Sequence, residues 1–509
     1  MKYLLSGDLG TSGIKIGLVS EAGELVESTY QSVRYHTQGS GRVIQRVETF
    51  LDETLRLIRL IIEKSQVDPR DIVALSLSSQ MGGIIGVDKT FVAITGLDMG
   101  LDLLSERYNR WFQDRYADFV NLKSCGSPRN FPKILWWKRE RPEIYEQVVK
   151  FVTLNTYVVG RMAGYKNQDV FIDYTLLSFF GNEDMVKRAW SEELSQELGV
   201  SVDKLPRIVP PWTIVGKVSS EIAEKCGLLG GTPIVAGAGD QPAGFLGGGF
   251  CEFGTLVDVS GSSTLLSLYV PFPVRERDNP VVMYMPSVIP GEYHAFTYIN
   301  GGGTTLNWFV EEFASGDDRE EMYRELTERS EVLPPGSEGL IFLPYFGGRQ
   351  CSYDDTIRGG FIGLSWWHKR EHLFRSILES LAYNQALGFS ALHRLFPWFS
   401  SWKVFAMGGG TRNRLWNQIK ADVLNIQYIP VDDYKFPLLG NAIIAGYGIG
   451  LWDNLVPFSL RREEVYPTTF YPNRDNNRVY REFLSIYERL ITSPLSKTFL
   501  LLRELSERG

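Results

Sequence analysis

The sequence predicts an α/β protein with two domains of like topology. Its 509 residues are too many for one hydrophobic core. Short apolar strand patterns alternate with stretches of helical periodicity along the chain. A strand, a turn of glycine and hydroxyl residues and a second strand occur at residues 3–19 and again at 254–269. A weak repeat at half length favours a duplicated fold.

Composition and charge indicate which partners and which cellular compartment to expect. The hydrophobic and charged fractions, 44% and 22%, are typical of soluble globular proteins. A net charge of -7 without a basic stripe argues against nucleic acid as a partner. A strand pattern begins within two residues of Met1, so we expect no signal peptide, and no apolar run is long enough to span a membrane. We expect a cytoplasmic protein.

Cysteine and histidine placement gives no sign of a metal centre. Four cysteines lie far apart without paired spacing, as in a reduced protein without structural zinc: Cys125, Cys226, Cys251 and Cys351. His368 and His372 have the i,i+4 spacing of zinc ligands on a helix, but no third ligand is evident nearby. Capping and surface placement at the start of a helix is favoured over metal binding.

The opening segment, residues 3–19, reads as a hairpin with a polar tip. Two glycines in the turn at residues 10–13 allow backbone N–H groups to approach an anion, and two hydroxyl residues add donors. Asp8 accepts hydrogen bonds only, so beside a polyphosphate its use is as a Mg²⁺ ligand, direct or through water. The alternative is an ordinary hairpin.

The following elements are read from their apolar spacing. They are a third strand at 24–33, a loop at 34–46, a helix at 49–64 and a strand at 71–77. Ligands in α/β sheets collect beyond the carboxyl ends of strands, which places Gln80 and Met81 to line a pocket. The alternative is a glycine-rich turn into the next strand.

The second landmark is residues 231–240, where an apolar strand enters Gly-Ala-Gly and ends on Asp240. Flanking glycines clear space around this carboxylate, as suits a general base that reaches a substrate hydroxyl. The alternative is a helix N-cap, and both roles can coexist. The glycine-rich segment 244–249 is the candidate hinge between the domains.

The second half adds a second hairpin, at 254–269, and three glycine clusters. The clusters fall at 299–308, where the N-terminal N–H groups of a helix could meet phosphate, at 342–349 and at 404–413. Strand-to-glycine-to-helix junctions of this kind favour a bound nucleotide. Neither the P-loop pattern nor a GxGxxG opening a βαβ unit is present, so hairpins are expected to hold the phosphates.

Together these motifs resemble the FGGY family of carbohydrate kinases, in its xylulose kinase-like branch, within the actin/hexokinase-type ATPase superfamily. The resemblance runs from residue 3 to about 455. Its most specific part is Gly359-Gly-Phe-Ile-Gly-Leu364 followed by His372-Leu-Phe-Arg-Ser-Ile-Leu-Glu379. It implies two ribonuclease H-like domains with a cleft between them, an N-terminal domain at 1–245 and a C-terminal domain at 246–509.

The resemblance also implies a reaction and its residues. ATP, with Mg²⁺, would phosphorylate a hydroxyl of a small sugar or polyol, with Asp240 as general base and Asp8 at the metal. The substrate-binding residues would be Gln80, Met81, Asp98, Asp240 and Gln241. The nucleotide-binding residues would be Gly10, Thr11, Ser12, Lys15, Gly261, Ser262, Ser263, Gly302, Gly303, Asn307, Gly408, Gly409 and Asn413. Many relatives are dimers, which makes a homodimer an expectation by analogy.

The sugar side departs from the family pattern. Xylulose kinases read Gln-Met-His-Gly where this chain has Gln80-Met-Gly-Gly83, and Trp-x-Asp-x-Arg where it has Gly96-Leu-Asp-Met-Gly100. The Arg-Glu pair of glycerol kinases is also missing, and Gly348-Arg-Gln-Cys351 replaces the family's Glu-Arg-Thr-Pro. A wider, less polar pocket favours a bulkier or modified sugar or polyol over xylulose and glycerol. The competing interpretation is a nucleotide-binding sugar sensor without turnover; a chaperone-type ATPase is poorer, because no peptide-binding β-domain pattern follows.

Overall fold

The structure, a computed structural model, describes most of the chain. The described residues are 1–38, 42–99, 105–123, 129–166, 170–276, 280–313, 318–346, 348–354, 356–400, 403–431, 434–456, 468–492, 495, 498–499 and 501–502. Cys125, Gly100 and Gly347, which belong to patterns discussed above, lie outside these residues.

The strands are β1 Tyr3–Leu9, β2 Gly13–Ser20, β3 Leu25–Ser32, β4 His36–Gln38, β5 Arg42–Gln45, β6 Ile72–Ser79, β7 Gly83–Val87, β8 Leu97–Met99, β9 Lys150–Val152, β10 Phe171–Asp173, β11 Glu183–Asp184, β12 Ala189–Trp190, β13 Arg207–Val209, β14 Ile214–Lys217, β15 Pro233–Val235, β16 Leu256–Ser260, β17 Thr264–Val270, β18 Met283–Pro286, β19 Tyr293–Ile299, β20 Ile341–Leu343, β21 Gly360–Ile362, β22 Lys403–Met407 and β23 Gln427–Pro430.

The helices are α1 Val47–Ser65, α2 Glu106–Arg115, α3 Ala117–Leu122, α4 Asn130–Glu140, α5 Pro142–Tyr145, α6 Leu154–Ala163, α7 Glu192–Glu197, α8 Ser220–Cys226, α9 Asp240–Gly247, α10 Gly302–Phe313, α11 Arg319–Glu331, α12 Arg370–Leu395, α13 Arg414–Leu424, α14 Phe436–Gly448 and α15 Arg474–Thr492.

The chain forms two compact units. The first comprises Met1–Cys251, Tyr284–Tyr293 and Asp433–Leu460. The second comprises Glu252–Met283, His294–Asp432 and Arg461–Gly509. The boundary between residues 245 and 246 remains a prediction from sequence.

The first unit is built on a sheet in the order β14-β15-β6-β1-β2-β3. Strands β1, β2 and β3 are antiparallel neighbours, whereas β1, β6 and β15 run parallel. Strands β1 and β6 are buried along nearly their whole length, as expected for central strands covered on both faces. The predicted opening hairpin, third strand, helix and fourth strand are all confirmed.

A second sheet of the first unit has the order β4-β5-β8-β7-β9. Strands β4 and β5 lie inside the segment 34–46, which the sequence predicts to be a loop, and that prediction is wrong. The segment is polar, and its strands exist because β5 pairs with β8, more than fifty residues later in the chain. Local composition carries no signal for such a distant partner.

The second unit repeats the first in topology. Five of its strands pair in the order β19-β17-β16-β22-β23. Here β16 is antiparallel to β17 and parallel to β22, which is parallel to β23. The order matches β3-β2-β1-β6-β15 of the first unit, with the two hairpins in corresponding places. The prediction of two domains of like topology is therefore confirmed, and the fold is α/β of the actin/hexokinase type.

Helix α14 belongs to the first unit although it comes late in the sequence. It packs on α9, β1 and β6. Asn441 donates from Nδ2 to the carbonyl of Gly7, 2.9 Å away on β1. Its apolar residues share a buried cluster with residues from the start of the chain, including Leu4 and Val19. Residues 244–249, the predicted hinge, are the second half of α9 and the turn after it.

The histidine pair at the start of α12 acts in capping. His372 Nδ1 accepts the N–H of Lys369 at 3.1 Å, and His368 Nδ1 accepts that of Ser365 at 2.9 Å. Capping is confirmed, although His372 is buried and not at the surface. Within the described residues, no group of three or more metal-ligating side chains occurs, and no helix is long and apolar enough to cross a membrane.

Candidate active site

Two carboxylates lie at one edge of the first unit's sheet. Asp8 is near the end of β1, and Asp240 is the first residue of α9, shortly after β15 ends. Strand β6 runs parallel between β1 and β15, with Ser78 opposite Asp8 and Ser79 bridged to Gly239. The carboxyl ends of three neighbouring parallel strands thus bring both acids together, where α/β sheets bind ligands.

Asp8 lies between a serine hydroxyl and a lysine ammonium group. Ser78 donates from Oγ to Oδ1 of Asp8 at 3.0 Å. Lys15, opposite Asp8 on β2, places Nζ 3.9 Å from Oδ2. Asp8 is only 7% exposed, so its charge acts over a short distance with little solvent screening.

Asp240 has the properties of a proton acceptor near neutral pH. Burial first, and the negative charge of Asp8 second, raise its pKa from 3.8 to about 7, while the N–H of Gln241 and the charge of Lys15 lower it. Its Oδ1 accepts the Gln241 N–H at 2.8 Å. Gly239, and not Asp240, occupies the N-cap position of α9. A carboxylate with such a pKa both takes and releases a proton readily.

A buried relay supports the backbone before Asp240. The N–H of Gly239 donates to Oγ1 of Thr175 at 2.8 Å. The Thr175 hydroxyl in turn donates to Asp173, whose Oδ1 also accepts the Thr175 N–H at 3.0 Å. Burial raises the pKa of Asp173 to about 7. The Asp-x-Thr run at residues 173–175 is not among the site residues predicted from sequence, because its contact with residue 239 is visible only in the fold.

Gln80 is bound to the first hairpin. Oε1 of Gln80 accepts the Thr11 hydroxyl at 2.9 Å, and Nε2 donates to Gln45 at 3.0 Å. Gln45 also donates to the carbonyl of Thr11 at 2.9 Å. Gln45, on a strand that the sequence does not predict, completes this ring of polar contacts. Met81 is buried with its sulfur beside Gly239.

Asp98 lies on β8 and is 3% exposed. The indole N–H of Trp137 donates to its Oδ2 at 2.6 Å. Trp137 is buried, and through this hydrogen bond it orients the carboxylate of Asp98. The first unit therefore contains these predicted site residues: Asp8, Gly10, Thr11, Ser12, Lys15, Gln80, Met81, Asp98, Asp240 and Gln241.

In each hairpin turn the N–H of the first glycine donates to a carbonyl later in the same turn. Gly10 N–H donates to the carbonyl of Gly13 at 2.9 Å, and Gly261 N–H donates to that of Ser263 at 3.0 Å. Within the described part of the chain, the N–H groups of the hydroxyl residues that directly follow Gly10 and Gly261 have no acceptor. Successive free N–H groups beside hydroxyls are suited to binding an anion.

The start of α10 packs directly on the second hairpin. Gly303 N–H donates to the carbonyl of Gly261 at 2.9 Å, and Thr304 N–H to that of Ser262 at 3.2 Å. A Cβ at position 303 would lie 2.6 Å from the Gly261 oxygen, so only glycine allows this approach. These helix-terminal N–H groups thus hold the hairpin instead of pointing toward a phosphate.

The turn after β22 carries the remaining predicted nucleotide contacts. Gly408 has φ +93°, and a Cβ there would lie 2.6 Å from the carbonyl oxygen of Ser260. A Cβ at Gly409 would meet nothing within 4 Å, which leaves one face of the turn open. Asn413 caps α13 by accepting the N–H of Trp416 at 2.9 Å.

The Asn413 amide is anchored on α11 as well. Nδ2 lies 3.2 Å from both the Tyr323 and the Thr327 hydroxyl oxygens. Asn307 is exposed on α10. The second unit therefore contains these predicted residues: Gly261, Ser262, Ser263, Gly302, Gly303, Asn307, Gly408, Gly409 and Asn413.

The donor set around Asp8 fits Mg²⁺ in one respect. Mg²⁺ prefers hard oxygen ligands and is commonly bound through one or two carboxylates together with substrate phosphates. Asp8 provides one such carboxylate, and the Ser78 hydroxyl that donates to it fixes its orientation. Asp8 would hold the ion only together with ligands from a phosphate.

Comparison with known proteins assigns the family. Sequence models of the FGGY family of carbohydrate kinases match the N-terminal domain at residues 3–247 and the C-terminal domain at 257–449. The chain is 27% identical to a xylulose kinase of Bacillus subtilis over 506 residues, covering 97% of each chain. It is also 27% identical to a gluconokinase of Bacillus subtilis over 503 residues, covering 96% of this chain and 95% of the relative.

Solved structures agree on the fold. A gluconate kinase from Lactobacillus acidophilus superposes with TM-score 0.85 at 22% identity, covering 98% of this chain and 99% of the other. A xylulose kinase from the same organism gives TM-score 0.85 at 22% identity, covering 98% and 100%. With both domain models matched across most of its length, the chain belongs to the FGGY family of carbohydrate kinases.

Proposed function

We propose that this kinase transfers the γ-phosphoryl group of ATP to a hydroxyl of a small sugar or polyol, with Asp240 as general base. The observation that carries the proposal is the raised pKa of Asp240 beside Asp8 at the carboxyl edge of parallel strands. A binding protein has no need of a carboxylate whose pKa is near 7.

The chemistry is an in-line displacement. The acceptor oxygen attacks the γ-phosphorus, the bond from that phosphorus to the β–γ bridging oxygen breaks, and ADP leaves. Asp240 accepts the hydroxyl proton as the new P–O bond forms. Mg²⁺, bound through Asp8, would offset the negative charge of the phosphates.

The hairpin turns at residues 10–13 and 261–263 are proposed to hold the phosphates of Mg-ATP between them. Support comes from their shared pattern of free N–H groups and hydroxyls. The open face at Gly409 supports a nucleoside contact in that region. Asn413 is committed to the cap of α13 and to α11, so its contribution to the nucleoside would be through positioning of this turn.

The acceptor is proposed to be a sugar or polyol other than xylulose and glycerol. Gly82 and Gly96 replace the imidazole and indole of the xylulose kinase pattern, and the Gln80 and Asp98 side chains are engaged by protein partners. The relatives named above include a gluconokinase. Another relative is an autoinducer-2 kinase of Yersinia enterocolitica. It is 26% identical over 479 residues, which cover 87% of this chain and 85% of the relative. Sugar acids and modified sugars therefore belong in the substrate panel.

The test is ADP release with a panel of ketoses, polyols and sugar acids, in wild type and Asp240→Asn. We expect turnover with at least one acceptor and a fall in kcat of about 10²-fold or more in the variant, the usual size of a general-base contribution. The engaged side chains of Gln80 and Asp98 favour the competing function, a nucleotide-binding sugar sensor. Silence of both proteins on every acceptor, with ATP still bound, would establish that function instead.

A further inference from the structure

A buried polar cluster lies in the second unit beside the predicted nucleotide residues. It consists of Asp258 and Ser260 on β16, Lys420 on α13 and Tyr428 on β23. Each of the four residues is 0% exposed. We call it the Lys420 cluster. None of the four is among the site residues predicted from sequence, because they lie on three separate elements.

All three donors of the cluster converge on one carboxylate oxygen. Oδ2 of Asp258 accepts from Lys420 Nζ at 2.7 Å, from Ser260 Oγ at 3.0 Å and from the Tyr428 hydroxyl. Nζ also donates to Ser260 Oγ and, at 3.1 Å, to the Tyr428 oxygen. It lies 3.8 Å from the centroid of the Trp416 ring, a favourable position for a cation.

An ion pair of this kind is not explained by stability. Removing two charges from water costs more free energy than their attraction commonly returns, and apolar replacements are often as stable or more so. Burial lowers the pKa of Lys420, although Asp258 opposes the effect. A buried ion pair does fix the geometry of the residues that it binds. Its role is therefore to be sought in those residues.

Ser260 is the residue through which the cluster reaches the nucleotide motifs. It is the last residue of β16 and directly precedes Gly261 in the second hairpin turn. Its carbonyl oxygen lies against Gly408, where a Cβ would be 2.6 Å away. Its Cβ lies against Gly410, where an added Cβ would be 2.8 Å away. One buried serine therefore touches both the hairpin turn and the glycine turn after β22.

We propose that the Lys420–Asp258 pair, acting through Ser260, positions the second hairpin turn against the glycine turn at 408–410 for nucleotide binding. Lys420 and Asp258 touch no ligand in this proposal; they are positioning residues. The proposal rests on the proposed function in one respect, that these two turns contact the nucleotide.

The first probe is Ser260→Ala. It removes the hydroxyl that links the start of the hairpin turn to the cluster, and it leaves the Lys420–Asp258 contact in place. We expect its unfolding midpoint to stay close to that of wild type, because the ion pair and the Tyr428 bonds remain. The Kd for ADP should rise about fivefold, because the turn loses one hydrogen bond that holds it in position. In turnover, KM for ATP should rise while KM for the acceptor stays unchanged, a split that a general loss of stability does not produce.

The second probe is Lys420→Met with Asp258→Leu, which replaces the pair by apolar side chains and avoids a lone buried charge. We expect weakened ADP binding in a folded protein. The matched control is Arg375→Met with Glu379→Leu, another buried pair of the second unit, 2.8 Å apart. Its hydrogen bonds reach Ser330, Gly336, Ser337 and Tyr480, none of which is a predicted nucleotide residue. The control should bind ADP like wild type.

The outcomes separate the two proposals. Weaker ADP binding in Ser260→Ala but not in the control supports the positioning role. ADP binding equal to wild type in Ser260→Ala overturns it, whether or not the double variant folds. Absence of ADP binding in wild type overturns the assignment of the nucleotide turns themselves, and the positioning role with it.

Discussion

The elevated pKa of Asp240 has a consequence for stability that is independent of turnover. In the unfolded chain the carboxyl titrates at its ordinary value of 3.8, and in the folded protein at about 7. Between these values the folded state holds a proton that the unfolded state has released. Stability therefore falls as pH rises through this window, and Asp240→Asn, which has no proton to lose, should not follow the fall.

The magnitude follows from the shift. About 3 pKa units correspond to about 4 kcal/mol at about 1.4 kcal/mol per unit. Asp240 is partly buried and retains some contact with solvent, so we expect about half, roughly 2 kcal/mol. Asp240→Asn should match wild type near pH 4 and exceed it in unfolding free energy by that amount at pH 8.

The assay is urea unfolding at several pH values between 4 and 8, followed by tryptophan fluorescence. Asp114→Asn, at an exposed position of α2, controls for the general effect of removing one negative charge. A constant difference between Asp240→Asn and wild type across this range would refute the argument that burial and Asp8 hold a proton on Asp240.

Three further perturbations have defined outcomes. Thr175→Val should lower the free energy of unfolding by about 1–3 kcal/mol in chemical denaturation, because it leaves a buried N–H without an acceptor. Asp8→Asn removes the negative neighbour of Asp240, so the acid limb of the pH–rate profile should move to lower pH, and the Mg²⁺ concentration for half-maximal rate should rise about tenfold. Gly303→Ala forces a methyl group against the carbonyl of Gly261, and steady-state kinetics should show a raised KM for ATP with KM for the acceptor unchanged.

Two of these changes have a matched variant, and the change at Asp8 has an outcome that would contradict it. Thr175→Ser keeps the hydroxyl and should retain most of the stability that Thr175→Val loses; equal losses would contradict the relay. An unmoved acid limb in Asp8→Asn would contradict the coupling of the two acids. Gly409→Ala adds a methyl group where nothing lies within 4 Å, so it should unfold like wild type, whereas Gly303→Ala should not.

Sequence was sufficient for features that repeat or that end a buried strand. The two hairpins and the place of Asp240 shortly after a buried strand follow from apolar runs broken by glycine and polar residues. Contacts between distant segments carried no such signal. Strand β5 pairs with β8, outside its own segment, and this strand carries Gln45 to its place beside Gln80.

The same limit applies to side chains whose role is indirect. Thr175 supports Gly239 from 64 residues away, and Lys420 reaches Asp258 across 162 residues. Neither residue type is unusual at its position, and no local spacing links it to its partner. Local motifs contain the groups expected to meet a ligand, whereas the residues that hold those groups in place are recognisable only in the folded chain.

The position of α14 late in the sequence affects how the first unit folds during translation. Its apolar residues belong to the same buried cluster as Leu4 on β1 and Val19 on β2. During synthesis these side chains emerge from the ribosome more than four hundred residues before their cover does. The first unit therefore cannot finish folding before α14 has been synthesised. A nascent chain halted before residue 448 should expose an apolar surface that chaperones and other incomplete chains can bind.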